Sequence, residues 1–270
     1  MADAKKIAGV IGWPVSHSLS PRLHGYWLKH YNIEGEYKAV TVLPDELDLF
    51  IKSLPDHGWQ GCNITLPHKE AVLPLLDSMD EVAKAIGAVN TIVVENGLLR
   101  GTNTDAFGFS ENIRPHITGK NKAVMLGAGG AAKAICYALE GLGFKEIIAV
   151  NRTKEKSDAL AAQFVKVKVG EWDKRAELLA GADLLVNTTS LGMTGKEALD
   201  IDLALLPKSA LVTDIVYTPL MTPLLEAAKA RGNPVVDGLG MLLYQAVPGF
   251  EAWFGVKPEV TPELREHVLA

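Results

Sequence analysis

From Lys122 onward the chain alternates short apolar runs with stretches that space apolar residues three and four apart. This rhythm leaves few folds open. The runs fall at 123–126, 146–150, 164–169, 183–186, 211–216 and 234–236. Helical spacing fills most gaps: Ala134, Ile135, Ala138, Leu139 and Leu142 follow the first run, and residues 154–163, 173–180 and 222–231 follow later ones. Thr222-Pro223 reads as an N-cap with proline at the first helical position, and Gly232 as a stop. Short apolar strands joined through helices imply a parallel sheet covered on both faces. This half is expected to be a six-stranded, doubly wound α/β domain.

One turn in that domain carries chemistry. Gly127-Ala128-Gly129-Gly130-Ala131-Ala132 follows the first strand and opens the first helix, the context in which G-x-G-x-x-[GA] binds a dinucleotide. Gly127 permits the turn, Gly129 lets the backbone approach a pyrophosphate, and small Ala132 lets helix pack on strand. The helix N-terminus offers free N–H groups to the anion. The second strand ends in Asn151-Arg152-Thr153, with Lys154 and Lys156 close by. An NAD-binding domain usually carries Asp or Glu there for the ribose hydroxyls. Here a cation replaces it: Arg152 can fork onto a 2′-phosphate and Thr153 can donate a hydrogen bond. The expected cofactor is therefore NADP, in a Rossmann-type domain. Asn187-Thr188-Thr189-Ser190-Leu191-Gly192-Met193 follows the fourth strand, at the sheet edge where ligands bind, so Thr188, Ser190 and Met193 are expected to line the cofactor site.

Composition narrows the class. With 270 residues, 48% hydrophobic and 22% charged, the chain suits one large or two modest globular domains. A formal charge of −5 argues against a nucleic-acid binder. Cys62 and Cys136 each lie among apolar residues and read as buried thiols, which fits a cytoplasmic protein. The N-terminal apolar segment is too short and too β-like for a signal peptide, and no run reaches membrane-spanning length. The seven histidines form no H-x-x-x-H pair or Cys/His cluster, so no metal site is expected.

The first hundred residues are also α/β. Residues 6–11, 37–42 and 61–65 read as strands, and Leu47, Phe50, Ile51 and Leu54 mark 44–54 as an amphipathic helix. Apolar runs at 91–94 and 98–100 flank Asn96-Gly97, a strong hairpin signal. Polar residues and Pro115 place the domain junction within 105–121. The expected division is a substrate domain at 1–104, a cofactor domain at 105–240, and C-terminal helices within 241–270 that pack back on the first domain, with a cleft between the domains.

Four polar clusters interrupt the strands of the first half. They are Gly12-Trp13-Pro14-Val15-Ser16-His17-Ser18-Leu19-Ser20-Pro21, Asn63-Ile64-Thr65-Leu66-Pro67-His68-Lys69, Gly87-Ala88-Val89-Asn90-Thr91, and Gly101-Thr102-Asn103-Thr104-Asp105-Ala106-Phe107-Gly108. Any one alone reads as a turn or a cap; Ser20-Pro21, for instance, is a good N-cap and N1 pair. Together they hold hydroxyls, amides, one lysine and one aspartate.

With Gly127-Ala-Gly-Gly-Ala131, Asn151-Arg-Thr153, Asn187-Thr-Thr-Ser-Leu-Gly-Met193 and Asp237-Gly-Leu-Gly-Met-Leu-Leu-Tyr-Gln245, the set resembles the shikimate dehydrogenase family, in order along nearly the whole chain. The resemblance implies reversible NADPH-dependent reduction of 3-dehydroshikimate to shikimate, a step toward chorismate and the aromatic amino acids. It implies that Lys69 and Asp105 form the catalytic pair and that Ser18, Ser20 and Tyr217 hold the substrate carboxylate. Asn63, Thr65, Asn90 and Gln245 would read the ring hydroxyls. Gly127, Ala128, Gly129, Gly130, Ala131, Asn151, Arg152, Thr153, Lys156, Thr188, Ser190, Met193, Gly238 and Met241 would line the cofactor site. The implied partners are small molecules alone, with the protein a monomer or homodimer.

Chemistry supports this distribution. A small polyhydroxylated acid needs many neutral hydrogen-bonding groups, and such a site rejects analogues that leave a buried polar group unpaired. Hydride transfer is the cofactor's chemistry; the protein orients the reactants and manages one proton. The sequence leaves open whether Lys69 moves that proton or stabilises charge while a water relays it. His17, His24 and His68 read as structural or supporting residues. Two alternatives stand beside the main reading. One is a quinate or quinate/shikimate dehydrogenase of the same family; the other is a non-catalytic NADP(H) sensor, which has no need of Lys69 or Asp105.

Overall fold

The computed structural model describes residues 5–270. Backbone contacts divide the chain into two compact units: one runs to Asp105 and takes up Leu242–Ala270, the other is Ala106–Met241.

The first unit opens with β1 (Lys6–Gly12), α1 (Ser20–His30), β2 (Gly35–Thr41), α2 (Leu47–Ser53) and β3 (Trp59–Ile64). Then come β4 (Ser78–Met79), α3 (Glu81–Ile86), β5 (Thr91–Glu95) and β6 (Leu98–Thr102). The sheet order is β2-β1-β3-β5-β6-β4. β1 pairs parallel with β2 and β3, whereas β3–β5 and β5–β6 are antiparallel. The β5–β6 hairpin turns on Asn96 and Gly97, both with positive φ, as a two-residue hairpin of this twist requires. The strand ends therefore deliver Asn63, Asn90 and Thr102 to neighbouring places.

The second unit contains α4 (Asp105–Ile113, its first residue closing the first unit), β7 (Lys122–Leu126), α5 (Ala132–Leu142), β8 (Glu146–Val150), α6 (Lys154–Gln163) and β9 (Val167–Gly170). It continues with β10 (Leu184–Asn187), β11 (Leu211–Asp214), α7 (Pro223–Ala230) and β12 (Val235–Val236). All pairings are parallel, in the order β12-β11-β10-β7-β8-β9. The strand order reverses between β7 and β10, the switch point at which doubly wound sheets bind ligands. Thr222 caps α7, its side chain accepting from the Leu225 amide.

One expected element is absent. Residues 173–180 form two 3₁₀ turns, Trp172–Lys174 and Glu177–Leu179, rather than an α-helix. The backbone bonds there are of the i→i+3 kind: the Arg175 amide donates to the Trp172 carbonyl at 3.2 Å and the Ala180 amide to the Glu177 carbonyl at 3.2 Å, while Arg175 Nη1 also donates to the Trp172 carbonyl at 3.0 Å.

α8 (Leu239–Phe254) and α9 (Pro262–Leu269) close the chain. Phe250 and Trp253 of α8 enter an aromatic cluster with His24, Trp27 and Tyr37. Trp253 Nε1 donates to Ile92 O at 2.9 Å, and Trp27 Nε1 to Glu259 O at 3.0 Å, so both buried indoles satisfy their donor. Among the described residues no helix is long and apolar enough to cross a membrane. Cys62 and Cys136 are free and buried as expected; burial raises both thiols, Cys136 to about 12.

Candidate active site

Lys69 lies in the turn after β3, where its carbonyl accepts from the Val89 amide at 2.9 Å. Asp105 is the first residue of α4, and its amide donates to Asn103 Oδ1 at 3.1 Å. The two side chains meet: Lys69 Nζ is 2.5 Å from Asp105 Oδ2, with side-chain exposures of 18% and 11%. Both partners lie mostly out of solvent, unlike exposed surface pairs such as Lys52–Asp48 and Lys84–Glu81. Surface pairs contribute little, whereas a pair held in place by neighbours is positioned for chemistry.

Asn90 is the neighbour that holds it. Its Nδ2 lies 2.8 Å from Asp105 Oδ1, 3.0 Å from Thr104 Oγ1 and 3.4 Å from Gln245 Oε1. An amide nitrogen has two hydrogens, so the two short contacts take them and Gln245 keeps acceptor capacity. Gln245 is oriented through Nε2, which donates to Leu242 O at 2.9 Å. Asn90 Oδ1 accepts from the Thr104 amide at 2.7 Å and from Thr91 Oγ1 at 3.0 Å. Asn63 Nδ2 donates to Thr91 Oγ1 at 3.0 Å, and Tyr37 Oη donates to Asn63 Oδ1 at 2.5 Å. Asn63, Asn90 and Gln245 are all buried. The first unit thus gathers Lys69, Asp105, Asn63, Asn90 and Gln245 into one bonded network. Thr65 follows β3 with its amide on Ile11 O, and the Ser20 amide donates to Ser18 Oγ at 3.3 Å, so both serines share one turn.

In the second unit Gly127 follows β7 with φ +106. A Cβ there would lie 2.6 Å from Thr188 Oγ1, so both backbone conformation and space require glycine. At Gly129 a Cβ meets no protein atom within 4 Å, and Gly130 and Ala131 complete the turn into α5. Asn151 fastens this turn to the next: Ala128 N donates to its Oδ1 at 3.2 Å, and its Nδ2 donates to Thr153 O at 2.8 Å. Thr188 Oγ1 donates to Leu126 O at 2.9 Å, which binds the end of β10 to the end of β7. Arg152, Thr153 and Lys156 are exposed; Ser190 and Met193 lie on the exposed part of the loop after β10. Gly238 precedes α8, where a Cβ would come within 2.5 Å of Ile215 O; Met241 follows in half-buried surroundings. Tyr217 follows β11, half-buried, and burial raises its hydroxyl.

Family models match three stretches: a shikimate dehydrogenase substrate-binding domain at residues 10–92, a shikimate/quinate 5-dehydrogenase model at 111–215, and a shikimate 5′-dehydrogenase C-terminal domain at 238–262. A relative from Paramagnetospirillum magneticum named shikimate dehydrogenase (NADP(+)) is 54% identical over the full length of both chains. The chain belongs to the shikimate dehydrogenase family. Two solved structures frame its place there. Thermus thermophilus shikimate 5-dehydrogenase, solved with NADP(H) and shikimate, is 37% identical with a TM-score of 0.88, covering 98% of this chain and 99% of its own. Quinate dehydrogenase from Corynebacterium glutamicum, solved with NAD, is 32% identical with a TM-score of 0.92 and the same coverage.

Within this shikimate dehydrogenase fold, sequence reading passed over two supports. One is Tyr37, which no motif contains; its only signal was a tyrosine set between Glu36 and Lys38 in a strand. The other is Asp214, buried at the end of β11, whose oxygens accept from Asn187 Nδ2 at 3.1 and 3.0 Å and from Thr222 Oγ1 at 2.8 Å. Burial raises its carboxyl, and the Asn187, Val216 and Thr222 hydrogen bonds oppose that. This network fixes the loops after β10 and β11. His68 Nε2 meets Val42 O at 2.7 Å and His24 is enclosed by aromatic rings, so both serve the fold. His17 is exposed.

Proposed function

We propose that this chain catalyses the reversible NADPH-dependent reduction of 3-dehydroshikimate to shikimate, in the cytoplasm and as a monomer or homodimer. The observation that carries the reading is the Lys69–Asp105 pair set into a buried network of neutral amides and hydroxyls. A polyol acid is read by such groups, and an analogue lacking a hydroxyl leaves one of them unpaired.

The dinucleotide fits the second unit: a glycine turn at the switch point, an approachable backbone at Gly129 and a cation at Arg152. When bound, it supplies the hydride. Gly127, Ala128, Gly129, Gly130 and Ala131 would hold its pyrophosphate, and Asn151, Arg152, Thr153 and Lys156 its adenosine end. Thr188, Ser190, Met193, Gly238 and Met241 would line the rest.

The protein's own work is proton management. Lys69 Nζ spends one hydrogen on Asp105 Oδ2 and keeps two for the ketone oxygen. As that oxygen gains charge, Nζ donates a proton to it; in the reverse direction the neutral amine takes the proton back. Asp105 remains a carboxylate that fixes Nζ, and Asn90 fixes Asp105. Asn63, Thr65, Asn90 and Gln245 read the ring hydroxyls, and the family motifs give Ser18, Ser20 and Tyr217 to the carboxylate.

The test is turnover at the nicotinamide absorbance with shikimate or quinate, each with NADP+ or NAD+. Shikimate with NADP+ should exceed the other three pairs by at least about tenfold, the effect of ~1.4 kcal/mol of discrimination. Comparable rates with quinate and NAD+ would favour the quinate reading, and no turnover with any pair would favour a sensor.

A further inference from the structure

Trp172 belongs to no motif, yet two guanidinium groups lie over its ring. Arg152 Cζ is 5.2 Å from the ring centroid and Arg175 Cζ is 5.0 Å. The two arginines differ in what else they do. Arg175 is committed: Nε donates to Asp200 O at 2.9 Å and Nη1 to Trp172 O at 3.0 Å. It therefore braces the turn that carries the indole. Arg152 makes no hydrogen bond or ion pair among the described residues, and its one assigned contact is the ring. Two nearby lysines are taken: Lys154 by Asp158 at 2.7 Å and Lys174 by Glu171 at 2.8 Å.

A guanidinium over an aromatic face uses its π-surface there and keeps its N–H edge for an anion. The indole also has a fixed base, since Trp172 packs on the apolar core under β7, β8 and β10. An exposed arginine otherwise loses considerable side-chain freedom when it binds a ligand. We propose that Trp172 is a positioning residue for cofactor choice: it holds Arg152 with its donor edge free for the 2′-phosphate, so the discrimination of NADP from NAD depends on the ring. This rests on the assignment of Arg152 to the 2′-phosphate. Trp172 itself touches no phosphate.

The test is direct binding of NADPH and NADH, by calorimetry or nicotinamide fluorescence, without turnover. Trp172→Met keeps apolar bulk and removes the ring. The Kd for NADPH should rise by about two- to fivefold, the size of an exposed cation–π contact, while that for NADH is unchanged. Trp172→Phe keeps a weaker ring and should fall between; it carries the test alone if the Met variant fails to fold. In an Arg152→Gln background the Met substitution should leave the NADPH/NADH ratio unchanged. Unchanged NADPH affinity, or a parallel loss for both nucleotides, overturns the proposal. If Arg152→Gln itself leaves the ratio unchanged, the 2′-phosphate assignment fails instead.

Discussion

His24 offers the most quantitative test of how the first unit is built. It is fully buried, stacked on Tyr37 with ring centroids 3.9 Å apart and planes 5° apart, and bordered by Trp27, Phe250 and Trp253. Neither ring nitrogen has a hydrogen-bond partner. Burial alone drives its pKa from 6.5 down to about 3. The folded protein therefore keeps a neutral imidazole that the unfolded chain protonates below pH 6.5. The unfolded state binds the extra proton, so stability is intact above pH 6.5 and is lost as pH falls toward 3. At pH 4.5 the loss from this one group is about RT ln(1 + 10²), roughly 2.7 kcal/mol.

His24→Phe keeps a ring on Tyr37 and deletes both orphan nitrogens. Relieving them gains about 1–3 kcal/mol, and the larger ring costs about as much through overpacking. At pH 7.5 the variant should thus be near wild type, and that comparison decides little. The pH difference decides, because packing terms cancel in it. Urea unfolding would be followed by near-UV circular dichroism, which reports the tryptophans around His24. Between pH 7.5 and 4.5 the wild type should lose about 2–3 kcal/mol more than the variant. A double difference under about 0.5 kcal/mol would refute the reasoning, since such a value lies within the scatter of ordinary surface substitutions.

Three further outcomes follow from the same geometry. Lys69→Met should lower kcat by about 10²- to 10⁴-fold, the usual worth of a positioned acid–base group, with the Kd for NADPH within about twofold; a kcat within a few-fold of wild type would remove the proton from Nζ. Gly127→Ala must carry a side chain at φ +106 with its Cβ 2.6 Å from Thr188 Oγ1, and should destabilise the second unit by about 1–3 kcal/mol in calorimetry. Tyr37→Phe strips Asn63 Oδ1 of its donor and should cost about 1–3 kcal/mol in urea unfolding; it should also raise KM for shikimate more than it lowers kcat.

The repeating features of this chain were open to reading because they are local. The strands β7, β8 and β10 announce themselves as apolar runs, and Asn96-Gly97 specifies its hairpin through two positive φ angles. The identities of Lys69, Asp105, Asn90 and Gln245 were also readable, but as motif members and not as partners. Nothing in the spacing of Asn90 and Gln245, 155 residues apart, says that their amides lie 3.4 Å from each other. Only the antiparallel β3–β5 pairing and the return of α8 bring them together, and each depends on long-range burial. Tyr37 was missed for the same reason: its hydroxyl finds Asn63 across the sheet, from a position where burial alone explains an aromatic residue.

The failure at residues 173–180 differs in kind and shows where local rules yield. Leu178 and Leu179 with Ala176 and Ala180 satisfy a helical pattern, and no proline or glycine forbids it. An α-helix starting there would use the Trp172 carbonyl as an acceptor for the next turn. In the fold that carbonyl accepts the i→i+3 bond from the Arg175 amide at 3.2 Å and a second from Arg175 Nη1 at 3.0 Å, while Arg175 Nε reaches Asp200 O on a distant loop. These two contacts brace the turn that carries the indole, over which Arg152 also lies. A sequence that breaks its own local preference commonly does so at a working site. Arg175→Ala removes that brace and should lower the ratio of NADH to NADPH Kd toward one in direct binding, as Trp172→Met does; an unchanged ratio would separate the brace from cofactor choice.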